Sequence, residues 1–308
     1  MNILITGGAG YVGTSLIPIL LDAGHKVHIL DNLMFGGDQL LPFFRIKNFT
    51  FQKGDIRNTD DVKTAVKNQD VIIHLAAIVG YPACRKDPRL AEEVNVNGTK
   101  NLIAATSKKQ PIIFASTGSN YGQSYEMVTE DTPLNPLSLY GQTKTLAEKL
   151  LLDQRYAVVF RFATAFGLSP RLRLDLLIND FTYKAYAEQY LVVYEKHFKR
   201  TFIHVHDMGL AFNFALENID AMRGAAYNVG STEMNYSKED VCEILKKKLD
   251  LYVHYAEVGE DADKRNYLVS YDKINKLGYQ TSITVEEGID ELIASFEAIE
   301  IKKMYSNV

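Results

Sequence analysis

Short apolar runs alternate with amphipathic stretches through the first half of this chain. "NILIT" (2–6), "KVHILD" (26–31), "FTFQKGD" (49–55), "DVIIHLAA" (70–77), "PIIFAST" (111–117) and "AVVFRFA" (157–163) read as strands buried on both faces. Between them, apolar positions recur at helical period over about 11–23, 60–67, 90–107 and 140–153. Strand–helix alternation of this kind predicts an α/β fold with a doubly wound parallel sheet. Pro18 falls inside the first helical pattern; it deletes one intrahelical hydrogen bond and predicts a kink there.

After residue 166 the rhythm loosens. "PRLRLDLLINDFTYKAY" (170–186) reads as an arginine-headed helix, "RTFIHVHD" (200–207) as a strand, 208–219 as a helix and "AAYNVG" (225–230) as a strand. Residues 237–249 and 284–298 read as helices. No repeat or Ser/Gly-rich linker interrupts the chain, so a second unit must be interwoven with the first. The expected division is a nucleotide-binding domain over 1–165, to which 200–230 returns, and a smaller α/β lobe over 166–308. Such a lobe would cap the carboxyl ends of the strands, where open α/β sheets bind ligands.

"ITGGAGYVG" sets Gly7, Gly10 and Gly13 at Gly-x-x-Gly-x-x-Gly spacing between the first strand and first helix. A pyrophosphate needs this arrangement: a tight glycine turn, close backbone approach and the positive end of a helix. Tyr11 and Val12 lie within the same turn. Asp31 ends the second strand, where a carboxylate grips a ribose 2′-hydroxyl, and Asn32 follows it. "NLMFGG" (32–37) offers no arginine for a 2′-phosphate, so NAD is favoured over NADP and the sheet is expected to be of Rossmann type.

Composition narrows the partners. A formal charge of −4 argues against nucleic acid, and no apolar run reaches the roughly 18 residues of a membrane helix. The chain enters a strand pattern directly, without a basic leader. Cys84 and Cys242 lie far apart and suit a reducing compartment, so a cytoplasmic location is expected. His204 and His206 stand two apart without nearby Cys or His partners, which is poor metal spacing; no metal is expected.

"SLYGQTK" (138–144) places Tyr140 and Lys144 one helical turn apart. In a chain with 18 tyrosines such a pair arises about once by chance, so its meaning depends on context. "TGGAGYVG", "GDIR" (54–57), "HLAA" (74–77), "NVNGT" (95–99), "ASTGSNYG" (115–122), "YGQTK" and "RTFIHVHD" supply that context. In order and spacing they resemble the extended short-chain dehydrogenase/reductases, and within them the NAD-dependent sugar-nucleotide epimerases and dehydratases. The resemblance spans nearly the whole chain.

It implies that Asp55 and Ile56 flank an adenine, that Leu75, Ala76 and Ala77 line the nicotinamide side, and that Asn95 opens the helix behind the site. It implies Tyr140 as proton acceptor, Lys144 as its cationic neighbour and Thr117, four residues before Tyr121, as the hydroxyl that orients the substrate. A free tyrosine has a pKa near 10, and nearby positive charge is what makes its phenolate accessible. Ser119 is an auxiliary. The 4,6-dehydratases carry Asp-Glu after the threonine; Gly118 and Ser119 stand here, which disfavours dehydration.

For a nucleoside-diphosphate sugar substrate the resemblance nominates Arg200, Arg265, Arg171 and Arg173. Thr164 stands where the family often has asparagine. "FGLSPRLRLDLLINDFTYKAY" and "GEDADKRNYLVS" further resemble enzymes that oxidise C4 of a GDP-heptose for surface polysaccharides. Oxidation at C4 is therefore the leading expectation, with 4-epimerisation the alternative and a non-catalytic NAD-binding scaffold a distant third. A homodimer is expected through the helices near 90–107 and 140–153, with Leu102, Ile103, Leu146, Leu150 and Leu151 supplying apolar contacts.

Overall fold

The structure, a computed structural model, describes residues 1–154, 156–257, 266–300 and 306–307. At its centre is a seven-stranded sheet. From one edge it runs Ala225–Val229, Ala157–Phe162, Ile112–Thr117, Val71–His74, Asn2–Thr6, Lys26–Asp31, Phe49–Lys53. Every pairing is parallel. The chain builds outward from Asn2–Thr6 in one direction and then, from Val71–His74, in the other. That reversal opens a crevice at the carboxyl ends of these two strands, where doubly wound sheets hold nucleotides.

Successive residues of the first strand show why the sheet is buried twice over. Ile3 and Ile5 pack with Leu16, Ile17 and Phe212 on one face. Leu4 packs with Val62, Leu102, Phe114 and Leu151 on the other. The helix Tyr11–Asp22 passes through Pro18 without a break.

A second unit has its own core of Phe166, Ile178, Phe202, Val241, Leu245, Ile289 and Leu292. Its strands Thr164–Phe166, Lys199–His204 and Asn235–Ser237 form one sheet, and Tyr190–Tyr194 pairs with Tyr252–Ala256 in another. The chain then crosses back: the helix Val205–Glu217 packs against Tyr11–Asp22, and Ala225–Val229 joins the large sheet.

Three elements differ from the sequence reading. The helix expected over 170–186 begins only at Leu177. Before it, Asn179 accepts from the Gly167 N–H and donates to the Arg173 carbonyl, holding 167–176 in an irregular path. The strand expected over 200–207 ends at His204, whose Nδ1 accepts from the His206 N–H and starts the next helix. The helix over 90–107 is a composite of Pro88–Glu92, a π turn at Glu93–Asn97, and Gly98–Ala105. Asn95 therefore lies inside that composite rather than at its start.

Among the described residues, no helix is long and apolar enough to cross a membrane.

Candidate active site

The crevice is walled by Gly7, Gly10, Tyr11, Val12, Gly13, Asp31, Asn32, Asp55, Ile56, Leu75, Ala76 and Ala77. Thr117, Ser119, Tyr140, Lys144, Thr164, Arg171 and Arg173 line the same crevice. Gly7 has φ of 73°, and a Cβ there would sit 2.6 Å from the Ala76 nitrogen. The glycine thus lets the turn close against the loop after Val71–His74. A Cβ on Gly13 would meet the Gly8 carbonyl oxygen at 2.4 Å, so the helix can rise from the turn only with glycine there.

Gly10 caps that helix without any side-chain hydrogen bond, and its first turn holds no acidic residue. Its first N–H groups therefore carry uncompensated positive character toward the crevice. Asp31 accepts from the N–H groups of Ala9 and Leu33 at 3.0 and 2.8 Å. Burial raises its pKa, and those two hydrogen bonds oppose the rise. Asp55 is held down to about 2, first by its hydrogen bond to Arg57, with burial opposing. It also accepts from Asn32 at 3.2 Å. Bare helix donors, a glycine cradle and a carboxylate at the second strand's end fit a dinucleotide.

The helix Leu139–Leu152 starts at the crevice, capped by Ser138, whose Oγ accepts from the Gly141 N–H at 3.1 Å. That capping serine was readable from the sequence by its place before an apolar-periodic run. Tyr140 is half-buried in the helix's first turn. Lys144, one turn on, is 2% exposed with its Nζ 3.9 Å from the centre of the Phe114 ring. Burial lowers its pKa to about 7, opposed by the charge of Glu148. Thr117 ends its strand with Oγ1 accepting from the Ser119 N–H and donating to Ser119 Oγ, both at 3.1 Å.

Beneath the helix lies a polar network that no motif announces. Glu148 pairs with Arg161 at 2.6 Å, both nearly inaccessible. It also accepts from Ser116 at 2.6 Å and Asn120 at 3.0 Å. Arg161 in turn reaches the Tyr121 hydroxyl and the Glu130 carbonyl. Asn95 clamps both backbone groups of Ile78 and donates to Thr143, behind the crevice rather than in its wall.

Arg173 forms a bidentate pair with Asp175. Arg200 is buried on Lys199–His204, next to the strand whose Thr164 faces the crevice, and is not part of the crevice wall. Arg265 lies outside the described residues. Cys84 is buried, its thiol pushed up to about 11 by burial, and donates to the Ile78 carbonyl. His204 pairs with Glu291 at 2.8 Å. Among the described residues no cluster of His, Cys, Asp or Glu could hold a metal ion.

Comparisons with known proteins identify the family. Residues 3–230 match the model of the NAD dependent epimerase/dehydratase family. The chain is 28% identical to the CDP-paratose 2-epimerase of Salmonella typhi, covering 95% of this chain and 98% of that protein. It is 30% identical to the UDP-glucuronate 4-epimerase of Thermodesulfobacterium geofontis, over 97% and 98%. In structure it is similar to UDP-glucuronic acid 4-epimerase from Bacillus cereus, solved with UDP-glucuronic acid and NAD. The TM-score is 0.86 at 25% identity, covering 97% of this chain and 99% of that one. The chain belongs to the NAD-dependent epimerase/dehydratase family, whose members act on sugar nucleotides.

Proposed function

We propose that this enzyme oxidises the C4 hydroxyl of a nucleoside-diphosphate sugar to a ketone, with Tyr140 accepting the hydroxyl proton. The observation that carries this reading is a single crevice walled by the glycine turn, Asp31, Thr117, Tyr140 and Lys144. NAD, when bound, supplies the acceptor for the hydride that leaves C4. Gly10 to Gly13 hold its phosphates, and Asp31 holds a ribose hydroxyl. Lys144 stabilises negative charge on the Tyr140 oxygen from one turn away. Thr117 and Ser119 hold the substrate hydroxyl in line with Tyr140. Thr164 and Arg173 face the sugar nucleotide, with Arg200 contributing charge from the neighbouring strand.

Two outcomes follow the ketone. In one it is released, and the lobe strings that resemble GDP-heptose-oxidising enzymes support this as the first reading, with a role in polysaccharide formation. In the other the hydride returns to the opposite face of C4, giving a 4-epimer; the 4-epimerases among the relatives support it. Gly118 lacks a side chain, and Ser119 is a weak acid and base, so neither equips this site for dehydration.

Incubating the enzyme with NAD and GDP-, UDP- or dTDP-sugars separates the outcomes. Release gives one NADH per ketosugar, lighter by two hydrogens; epimerisation gives an isomer of unchanged mass and no net NADH. Tyr140→Phe should slow either by roughly 10²–10⁴-fold while leaving NAD bound. Near-normal turnover in that variant would sink the mechanism.

A further inference from the structure

The two arginines that follow Thr164–Phe166 sit in different electrostatic settings. Arg173 is answered by Asp175 through two hydrogen bonds. Arg171 is 4% exposed, and among the described residues no carboxylate lies within ion-pair distance of it. Its guanidinium carbon stands 4.4 Å from the centre of the Phe35 ring, and Nη2 donates to the Ser306 carbonyl at 3.4 Å. A cation so removed from water is costly unless an anion meets it.

The surroundings say which anion. Ser169 donates to the Tyr11 carbonyl at 2.6 Å and shares a 2.9 Å hydrogen bond with Thr14. The Arg171 N–H points to Thr14 Oγ1 at 3.4 Å. Residues 169–171 are thus tied to the first turn of Tyr11–Asp22, the helix whose N-terminus lacks a side-chain cap. Phe35, under the guanidinium, comes four residues after Asp31 and shares the crevice wall with it. A planar guanidinium that lines the same crevice as the bare helix N–H groups supplies a second kind of donor for a phosphate bound there.

We propose that Arg171 binds the pyrophosphate of the dinucleotide, not that of the sugar nucleotide, so that the segment after Thr164–Phe166 completes the cofactor site. This rests on the NAD-dependent reading above. It also reassigns Arg171, which the family resemblance nominates for the substrate.

Calorimetric titration of the unaltered chain, Arg171→Ala and Arg171→Lys with NAD, ADP-ribose, adenosine and GDP tests the proposal. Losing one charge-assisted hydrogen-bonding group should weaken NAD and ADP-ribose by about ten- to a hundredfold in Arg171→Ala. Adenosine and GDP should stay within about twofold, because neither places a pyrophosphate at the glycine turn. Arg171→Lys should fall between, since a point charge replaces a planar fork. If GDP weakens while ADP-ribose holds, the guanidinium serves the sugar nucleotide and the proposal is overturned. Equal losses of adenosine and ADP-ribose would overturn it too, marking Arg171 as a structural support. Failure of the unaltered chain to bind ADP-ribose or NAD would instead overturn the parent reading, and this one with it.

Discussion

Lys144 is a buried cation that the fold tolerates at a cost. Its pKa of about 7 is set first by burial, with Glu148 pulling it back up, against about 10.4 in an unfolded chain. Between pH 7 and about 10.4 the unfolded chain binds a proton that the native one lacks. Stability therefore rises with pH through that window, and the full cost is felt below pH 7. Lys144→Met should remove it, stabilising the protein at pH 6 by about 1–4 kcal/mol. The melting temperature should rise by roughly 2–4 °C for each kcal/mol. The gain should shrink toward pH 10, while turnover collapses at every pH. Calorimetry at pH 6 and pH 10 reads this directly; a variant less stable than its parent at pH 6 would refute it. His74 has the same sign. Burial, then the charge of Lys144, lowers its pKa to about 3. The neutral ring braces Thr6 at 2.7 Å and Thr99 at 3.0 Å. Its contribution is lost as pH falls from about 6.5 toward 3.

At the scale of elements, the π turn at Glu93–Asn97 explains how one side chain couples two walls of the crevice. Widening the helix by one residue turns the Asn95 amide inward, where it accepts from the Ile78 N–H at 2.7 Å and donates to the Ile78 carbonyl at 3.0 Å. Its third bond goes to Thr143, on the helix that carries Tyr140. Asn95→Ala should destabilise the fold by roughly 1–3 kcal/mol for buried backbone groups left unpaired, and should lower kcat more than NAD affinity. Asn95→Asp keeps the acceptor and should recover part of the loss. Denaturant titration with steady-state kinetics measures both, and an unchanged Asn95→Ala would make the π turn incidental. The sequence carries the helical period of this stretch but no mark of the extra residue. The same limit applies elsewhere. Parallel strands announce themselves because Ile3, Leu4 and Ile5 must all be apolar to pack on two sides. The path of 167–176 does not, because contacts that hold it come from Tyr11 and Thr14, distant in the chain, and from an Asn179 side chain that no local pattern marks. The glycine turn, Asp31, Tyr140 and Lys144 were legible as a crevice; the Glu148–Arg161 network, fixed only by tertiary contact, was not.

At the scale of the whole molecule, the outer faces of the helices Gly98–Ala105 and Leu139–Leu152 bear on assembly. Leu102 and Leu151 are fully buried against the sheet, so they cannot form a seam between copies as the sequence pattern suggests. Ile103 and Leu150 are half-buried, and Leu146 is 51% exposed on the outer face of Leu139–Leu152. Gly98–Ala105 packs beside that helix, and a second copy meeting this face across a two-fold axis would cover Leu146. A stable dimer needs roughly 1,600 Å² of buried surface with an apolar centre, and Leu146 is the residue placed to supply that centre. Light scattering at micromolar concentration should give twice the chain mass of 34.7 kDa. Leu146→Glu, which would bury two like charges at the axis, should give the single-chain mass. Because one chain supplies the whole described crevice wall, the monomeric variant should still bind NAD. A single-chain mass for the unaltered protein would show that Leu146 is ordinary exposed surface and that the enzyme works alone.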